Sequence, residues 1–183
     1  MIKLHLWSGK RYIPWFIHID IQDYEHIDYK ISIDDLNMFK DNSVDLIYAC
    51  HVLEHFKRKE FKKVLKEWFR VLKNDWILRI SGPWFEEMLE IYLNHPKKEY
   101  RWNLNLILWW LIWWQTNIYD FHYIVFDFKT LSSILKEIWF KEVKRYNWRE
   151  TEHANIDDYS QAYIPHMDKE NWLPISLNIE AIK

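Results

Sequence analysis

Glycine is almost missing from this chain. Two occur in 183 residues, where an average usage of about 7% would place roughly 13. Glycine is the usual residue for left-handed backbone in tight turns and at helix ends. Cysteine is down to one, Cys50. That excludes an internal disulfide and fits a reducing, cytoplasmic setting. A surplus of positive charge is lacking as well: 25 Lys and Arg stand against 27 Asp and Glu, for a net charge of −2. This argues against a nucleic-acid partner bound through bulk charge. Long apolar runs are absent. The most apolar stretch, Leu104 to Trp114, is interrupted by Asn105 and falls short of the roughly 20 residues a membrane span needs. Met1-Ile2-Lys3-Leu4-His5 lacks the charged start and apolar run of a signal peptide. The expectation is one domain over residues 1–183, with no transmembrane segment. Nothing in the sequence sets an oligomeric state.

In the place of glycine stands tryptophan, 13 residues of it. Several occupy turn positions. Trp15 follows Pro14, Trp76 follows Asn74-Asp75, and Trp139 sits between a helical pattern and Phe140, where a C-cap glycine belongs. Trp113, Trp114 and Trp172 also stand at breaks in the pattern. Each such indole costs about 1–3 kcal/mol in overpacking, and a left-handed backbone adds about 1–2 kcal/mol. A handful of these sites would cancel a net stability of about 5–15 kcal/mol. We therefore read many of these tryptophans as UGA codons that the source reads as glycine, translated under a code that reads UGA as tryptophan. Trp68 and Trp148 occupy apolar positions of regular elements and read as true tryptophans. Trp84, Trp102, Trp109 and Trp110 are not assigned by position.

The rest of the pattern alternates strands and helices. Strands are expected at Ile2–Leu6, Phe16–Ile21, Tyr29–Ile33, Val44–Tyr48, Ile77–Ser81, Lys141–Tyr146 and Ile175–Ile182. Phe61, Val64, Leu65, Trp68, Val71 and Leu72 recur at helical spacing, as do Leu131, Ile134, Leu135 and Ile138. A further helix is expected over Trp84–Asn94. Only nine residues separate the first two strands, so a crossover helix there is short or missing. Residues 95–125 read as a cap or insertion. The fold class is α/β: a three-layer sandwich around a mostly parallel, doubly wound sheet with an antiparallel C-terminal edge.

Three strand ends carry chemistry. The loop Trp7-Ser8-Gly9 follows the first strand, Asp20 closes the second, and Ala49-Cys50-His51 leaves the fourth. Ligands bind outside such strand ends, with a carboxylate reaching ribose hydroxyls. Asp34-Asp35 follows the third strand and offers a further carboxylate.

With glycine read at 7, Leu6-Trp7-Ser8-Gly9 resembles the first motif of class I S-adenosylmethionine-dependent methyltransferases. The run from Asp41 to His55 closely resembles the strand-four motif of that superfamily, and Arg70–Leu78 resembles its approach to strand five. The likeness covers residues 1–85 well and the remainder more loosely. It implies a Rossmann-like methyltransferase fold with S-adenosylmethionine as cofactor. It implies that Trp7, Ser8 and Gly9 lie against the methionine part, Asp20 binds the ribose, Asp34 or Asp35 approaches the adenine amine, and Cys50 and His51 border the cofactor. No metal belongs to that reading. Trp7, Asn74, Asp75 and Trp76 depart from the pattern. The acceptor reads as a small molecule or a glycan or lipid-linked precursor. His122, Tyr123, Arg149, His153, Tyr163 and His166 are candidates on the acceptor side.

Two rivals stand beside it. His51-Val52-Leu53-Glu54-His55 matches H-x-x-E-H, an inverted zinc-peptidase motif. On a helix, His51 and His55 would bind zinc with Glu54 as general base. The other rival is a non-catalytic module that keeps the fold and has lost the cofactor.

Overall fold

A computed structural model describes residues 1–112, 119–165, 168–170 and 173–183. Trp113, Trp114, His166 and Trp172 lie outside the described residues.

The core is a seven-stranded sheet in the order β3-β2-β1-β4-β5-β9-β6. Its strands are β1 (Lys3–Leu6), β2 (Ile17–Asp20), β3 (Tyr29–Lys30), β4 (Val44–Cys50), β5 (Leu72–Pro83), β6 (Glu142–Arg145) and β9 (Ser176–Ile182). The first five are parallel. β9 runs antiparallel between β5 and β6. The expected antiparallel border is therefore a pair of strands with β6 outermost. A separate two-stranded ribbon joins β7 (Tyr163–Ile164) to β8 (Leu173–Pro174).

Side-chain alternation divides the two faces. Leu4, Leu6, Ile47, Ala49, Leu78 and Ile80 point to one side. There they meet α1 (Phe61–Val71) and α4 (Phe128–Glu137). α1 buries Phe61, Val64, Leu65, Trp68 and Val71, each worth about 1.5–3 kcal/mol relative to exposure. Trp68 is fully buried, and its indole N–H donates to the Ile33 carbonyl at 2.9 Å. That partner satisfies the polar end a buried tryptophan needs.

The opposite face carries Leu46 and Tyr48 packed with Ile13, Phe16 and Ile156. No helix forms between β1 and β2, because the ten residues between them leave no room for one. This layer is thin, made of the Ile13–Phe16 turn and the chain around the 3-10 turns Trp148–Glu150 and Tyr159–Gln161.

α2 (Phe85–Asn94) and α3 (Leu104–Ile112) form a smaller cluster, in which Met88, Ile91, Ile107 and Trp110 bury against Ala162, Ile164 and Ile175. No helix among the described residues is long and apolar enough to cross a membrane.

The backbone bears directly on the tryptophans. Trp7, Trp15, Trp102 and Trp139 have φ of 56°, 72°, 61° and 81°. Trp15, Trp102 and Trp139 are mostly exposed, so packing does not explain their conformation. Trp76 corrects the sequence expectation. It lies within β5, and the left-handed residue of that turn is Asp75, with φ 64°.

Candidate functional site

The sheet order reverses between β1 and β4, and a cavity opens outside the C-terminal ends of those strands. This is the place where α/β sheets bind ligands. Its lining comes from the loop after β1 (Trp7, Ser8, Gly9, Arg11), the end of β4 (Cys50, His51), His55, the Asp120–His122 stretch, and Asp158-Tyr159.

The loop is held from below. Trp7 N–H donates to the Ile19 carbonyl at 2.8 Å, and Gly9 N–H donates to Asp20 Oδ2 at 2.8 Å. Asp20 is fully buried, and its Oδ1 accepts from Gln22 N–H at 2.8 Å. Trp7 and Gly9 both have φ of 56°. A side chain at position 9 would meet nothing within 4 Å, so this is an open cradle rather than a packed turn. Ser8 Oγ is buried in the cavity without a hydrogen-bond partner. A buried hydroxyl left unpaired costs about 1–3 kcal/mol, and a polar ligand would satisfy it.

One group works against that fit. The Trp7 indole lies parallel to the His55 ring, 5.7 Å between centroids and 3° between planes, with Tyr119 edge-on at 6.3 Å. The remaining cavity is about 160 Å³, roughly half the lower end of the 300–1,000 Å³ typical of ligand pockets. The donors suit a nucleoside cofactor; the volume suits it only without the indole.

Behind His51, His55 and His122, which line the cavity, sits a buried carboxylate that does not line it itself. Glu54 is fully buried. His51 Nδ1 lies 3.2 Å from Glu54 Oε1, and His122 Nε2 lies 3.9 Å from it. His51 Nε2 pairs with Ser176 Oγ at 2.9 Å, and His55 Nδ1 with the Phe121 carbonyl at 3.2 Å. Burial alone would raise the Glu54 carboxyl, but the His51 imidazole, then His55 and His122, hold it down at about 2. Burial pushes His122 down to about 4 and lowers His55 too. At neutral pH an ionised carboxylate thus stands beside the neutral rings of His55 and His122. Cys50 behaves differently. Burial, followed by the charge of Asp158, pushes its thiol well up, so it stays protonated and is no nucleophile.

Of the residues expected from sequence, Trp7, Ser8, Gly9, Cys50 and His51 line the cavity. Asp20 lies beneath the loop and acts on it through Gly9. Asp34 and Asp35 do not line the cavity. Asp34 accepts from the Ser32 hydroxyl, and Asp35 Oδ1 accepts from Asn37 N–H at 3.2 Å. On the acceptor side, His122 reaches the cavity. Tyr123, Arg149, His153 and Tyr163 do not: Tyr123 is exposed, Arg149 and Tyr163 contact each other at 3.3 Å, and His153 packs on Tyr48. His5, Arg11, Asp120, Asp158 and Tyr159 were not anticipated. Arg11 lies over the Tyr159 ring at 4.6 Å, and Asp158 accepts from the Tyr48 hydroxyl. These contacts span up to 148 positions, and no local spacing signals them. The peptidase alternative is overturned. His51 has φ 53° and Leu53–His55 is a three-residue 3-10 turn, so the helix that would align His51 with His55 does not form.

Comparison with known proteins agrees with this geometry. Residues 18–80 match the family model described as a methyltransferase domain. An S-adenosylmethionine-dependent methyltransferase from Archaeoglobus fulgidus superposes with a TM-score of 0.59 at 16% identity, covering 99% of this chain and 85% of that one. A possible histamine N-methyltransferase from Thermotoga maritima gives 0.59 at 13%, covering 100% and 82%. The Burkholderia thailandensis 1,6-didemethyltoxoflavin-N1-methyltransferase, solved with S-adenosylhomocysteine, gives 0.56 at 10%, covering 100% and 70%. No curated protein matches the sequence. The chain has the Rossmann-like fold of S-adenosylmethionine-dependent methyltransferases, and its residues 18–80 match the methyltransferase-domain model. S-adenosylmethionine is the cofactor of those proteins.

Proposed function

We propose that the natural protein transfers a methyl group from S-adenosylmethionine to a small molecule or a glycan or lipid-linked precursor, and that it carries glycine at position 7. The observation that carries this reading is the loop itself. Two left-handed residues, Trp7 and Gly9, flank a buried, unpaired Ser8 hydroxyl under a cavity at the sheet's switch point. Ser8 and Gly9 would hold the methionine part. Asp20 fixes the loop and would meet the ribose hydroxyls with its remaining lone pairs. Cys50 and His51 would border the cofactor. Asp34 and Asp35 are the weaker assignments, since neither reaches the cavity. The cofactor supplies a methyl group already activated on a sulfonium. The chain's own task is to align donor with acceptor and exclude water, and positioning alone supplies a large share of the rate.

Calorimetry with S-adenosylmethionine tests this on the chain as written and on Trp7→Gly. The expected result is binding by Trp7→Gly and none by the chain with Trp7. Silence from both would defeat the reading. UGG codons at 7, 15, 102 and 139 in the gene would defeat the glycine assignment.

A second reading has its own observation. The Trp7 indole fills cofactor volume and stacks on His55. If tryptophan is the natural residue, the protein is a non-catalytic module of the same fold, and cofactor binding by Trp7→Gly alone would not restore activity to it.

A further inference from the structure

Glu54 is unusual for a buried carboxylate. It has no exposed surface, and neither of its oxygens accepts a hydrogen bond of good geometry, although His51 Nδ1 lies 3.2 Å away. A buried charge without hydrogen bonds is costly unless something compensates it. Two imidazoles converge on the same point. One ligand atom each from Glu54, His55 and His122 falls within 4.8 Å of the others. The His55 and His122 rings stand 4.7 Å apart and edge-on. His51 Nδ1, 3.2 Å from Glu54 Oε1, lies beside this cluster and is not one of its three ligands.

We propose that Glu54, His55 and His122 hold a divalent transition-metal ion at the inner wall of the cofactor cavity, and that this ion seats the hydroxyl that accepts the methyl group. The proposal rests on the methyltransferase reading for its second half only. Two imidazoles and one carboxylate suit zinc, manganese or iron(II), and three protein ligands leave positions open for substrate. The outer contacts fit as well. A proton on His55 Nδ1 donates to the Phe121 carbonyl and leaves Nε2 with its lone pair. Ring-to-carbonyl contacts of this kind orient metal-binding histidines. His55 and His122 also line the cavity, so a held ion faces the space where donor and acceptor meet. An ion there lowers the pKa of a hydroxyl that reaches it. The hydroxyl proton passes to solvent as the hydroxyl docks on the ion, and the new C–O bond then forms as the C–S bond breaks. The bonding pair stays on sulfur, which becomes a neutral thioether. This arrangement differs from the peptidase motif in its ligand set: Glu54 is a ligand rather than a base, and His122, 67 positions beyond His55 in the chain, completes the set.

The site is tested on chelator-treated protein titrated with Zn²⁺ and Mn²⁺ in separate calorimetry runs, beside Glu54→Gln and His122→Ala. Circular dichroism checks that each variant is folded. The expected outcome is one ion per chain, with affinity reduced at least about tenfold in both variants. No binding, or equal binding by folded variants, overturns the site. Should Glu54→Gln fail to fold, His122→Ala alone decides. S-adenosylmethionine titrated into metal-free Trp7→Gly separates the two levels. Cofactor binding without metal binding defeats only the metal site, and metal binding without cofactor binding defeats the methyl-transfer half. With both bound, Mn²⁺ should broaden the cofactor's methyl resonance in Trp7→Gly and leave it sharp when Glu54→Gln is added. A sharp signal in both places the ion away from the chemistry and overturns the acceptor role.

Discussion

The tryptophans separate into two kinds by their backbone and surroundings. Trp68 is sealed in the core with its N–H satisfied by Ile33. Trp15 is 90% exposed and left-handed. The same substitution should act on them with opposite sign. Trp15→Gly removes a strain of about 1–2 kcal/mol and returns part of it as unfolded-chain entropy. It should raise stability by about 1 kcal/mol in urea denaturation. Trp68→Gly opens a large cavity and strands a carbonyl, and should cost about 3–5 kcal/mol or more. Equal destabilisation by both would mean that Trp15 is a native residue with a role in the fold. The four left-handed tryptophans together carry about 4–8 kcal/mol of strain, comparable with a whole domain's net stability.

Elements were legible wherever side-chain period and length agreed. α1 emerged from the spacing Phe61, Val64, Leu65, Trp68, Val71, and the structure forms it over Phe61–Val71. α4 is capped by Asp127, whose carboxylate accepts from Thr130 N–H at 2.6 Å. Asp127→Ala should lower stability by about 1 kcal/mol, seen as a shift in denaturation midpoint at unchanged slope. Asp127→Asn should lose much less, because an amide oxygen caps nearly as well. β3 shrank to Tyr29–Lys30, since an exposed two-residue edge has few pairing partners to extend it. β5 grew to Leu72–Pro83, because pairing with β4 on one side and β9 on the other carries it through a turn that local signals mark as a break. That tertiary override also explains why Trp76 proved to be strand and Asp75 the turn residue.

Across the whole molecule, charge ties the far end of the chain to the sheet. Arg79 donates to Glu180 at 2.7 Å and to Glu152 at 2.8 Å, and Lys3 reaches Glu152 at 2.9 Å. Burial works to raise the Glu152 carboxyl, yet its hydrogen bonds from Arg79 and Lys3 hold it at about 2 against an ordinary 4.5. The folded state therefore binds this proton less readily than the unfolded chain. Its contribution is complete above pH 4.5 and is lost as pH falls toward 2. Glu152→Gln should flatten the acid limb of a stability profile followed by circular dichroism over that range. An unchanged limb would mean that the pair contributes nothing measurable, as exposed pairs often do.

The sequence by itself determined the alternation of strands and helices, the class of fold, the loop after the first strand and the standing of tryptophan at turn positions. All of these are local properties of period, turn chemistry and composition. It also exposed the His51–His55 run, but with the wrong geometry, because only the structure shows a left-handed His51 and a 3-10 turn where the motif suggested a helix. The tertiary structure alone decided which carboxylates face the cavity, inserted β9 between β5 and β6, and brought His122 against Glu54. Those outcomes depend on packing between residues far apart in the chain, and no spacing along the sequence encodes them.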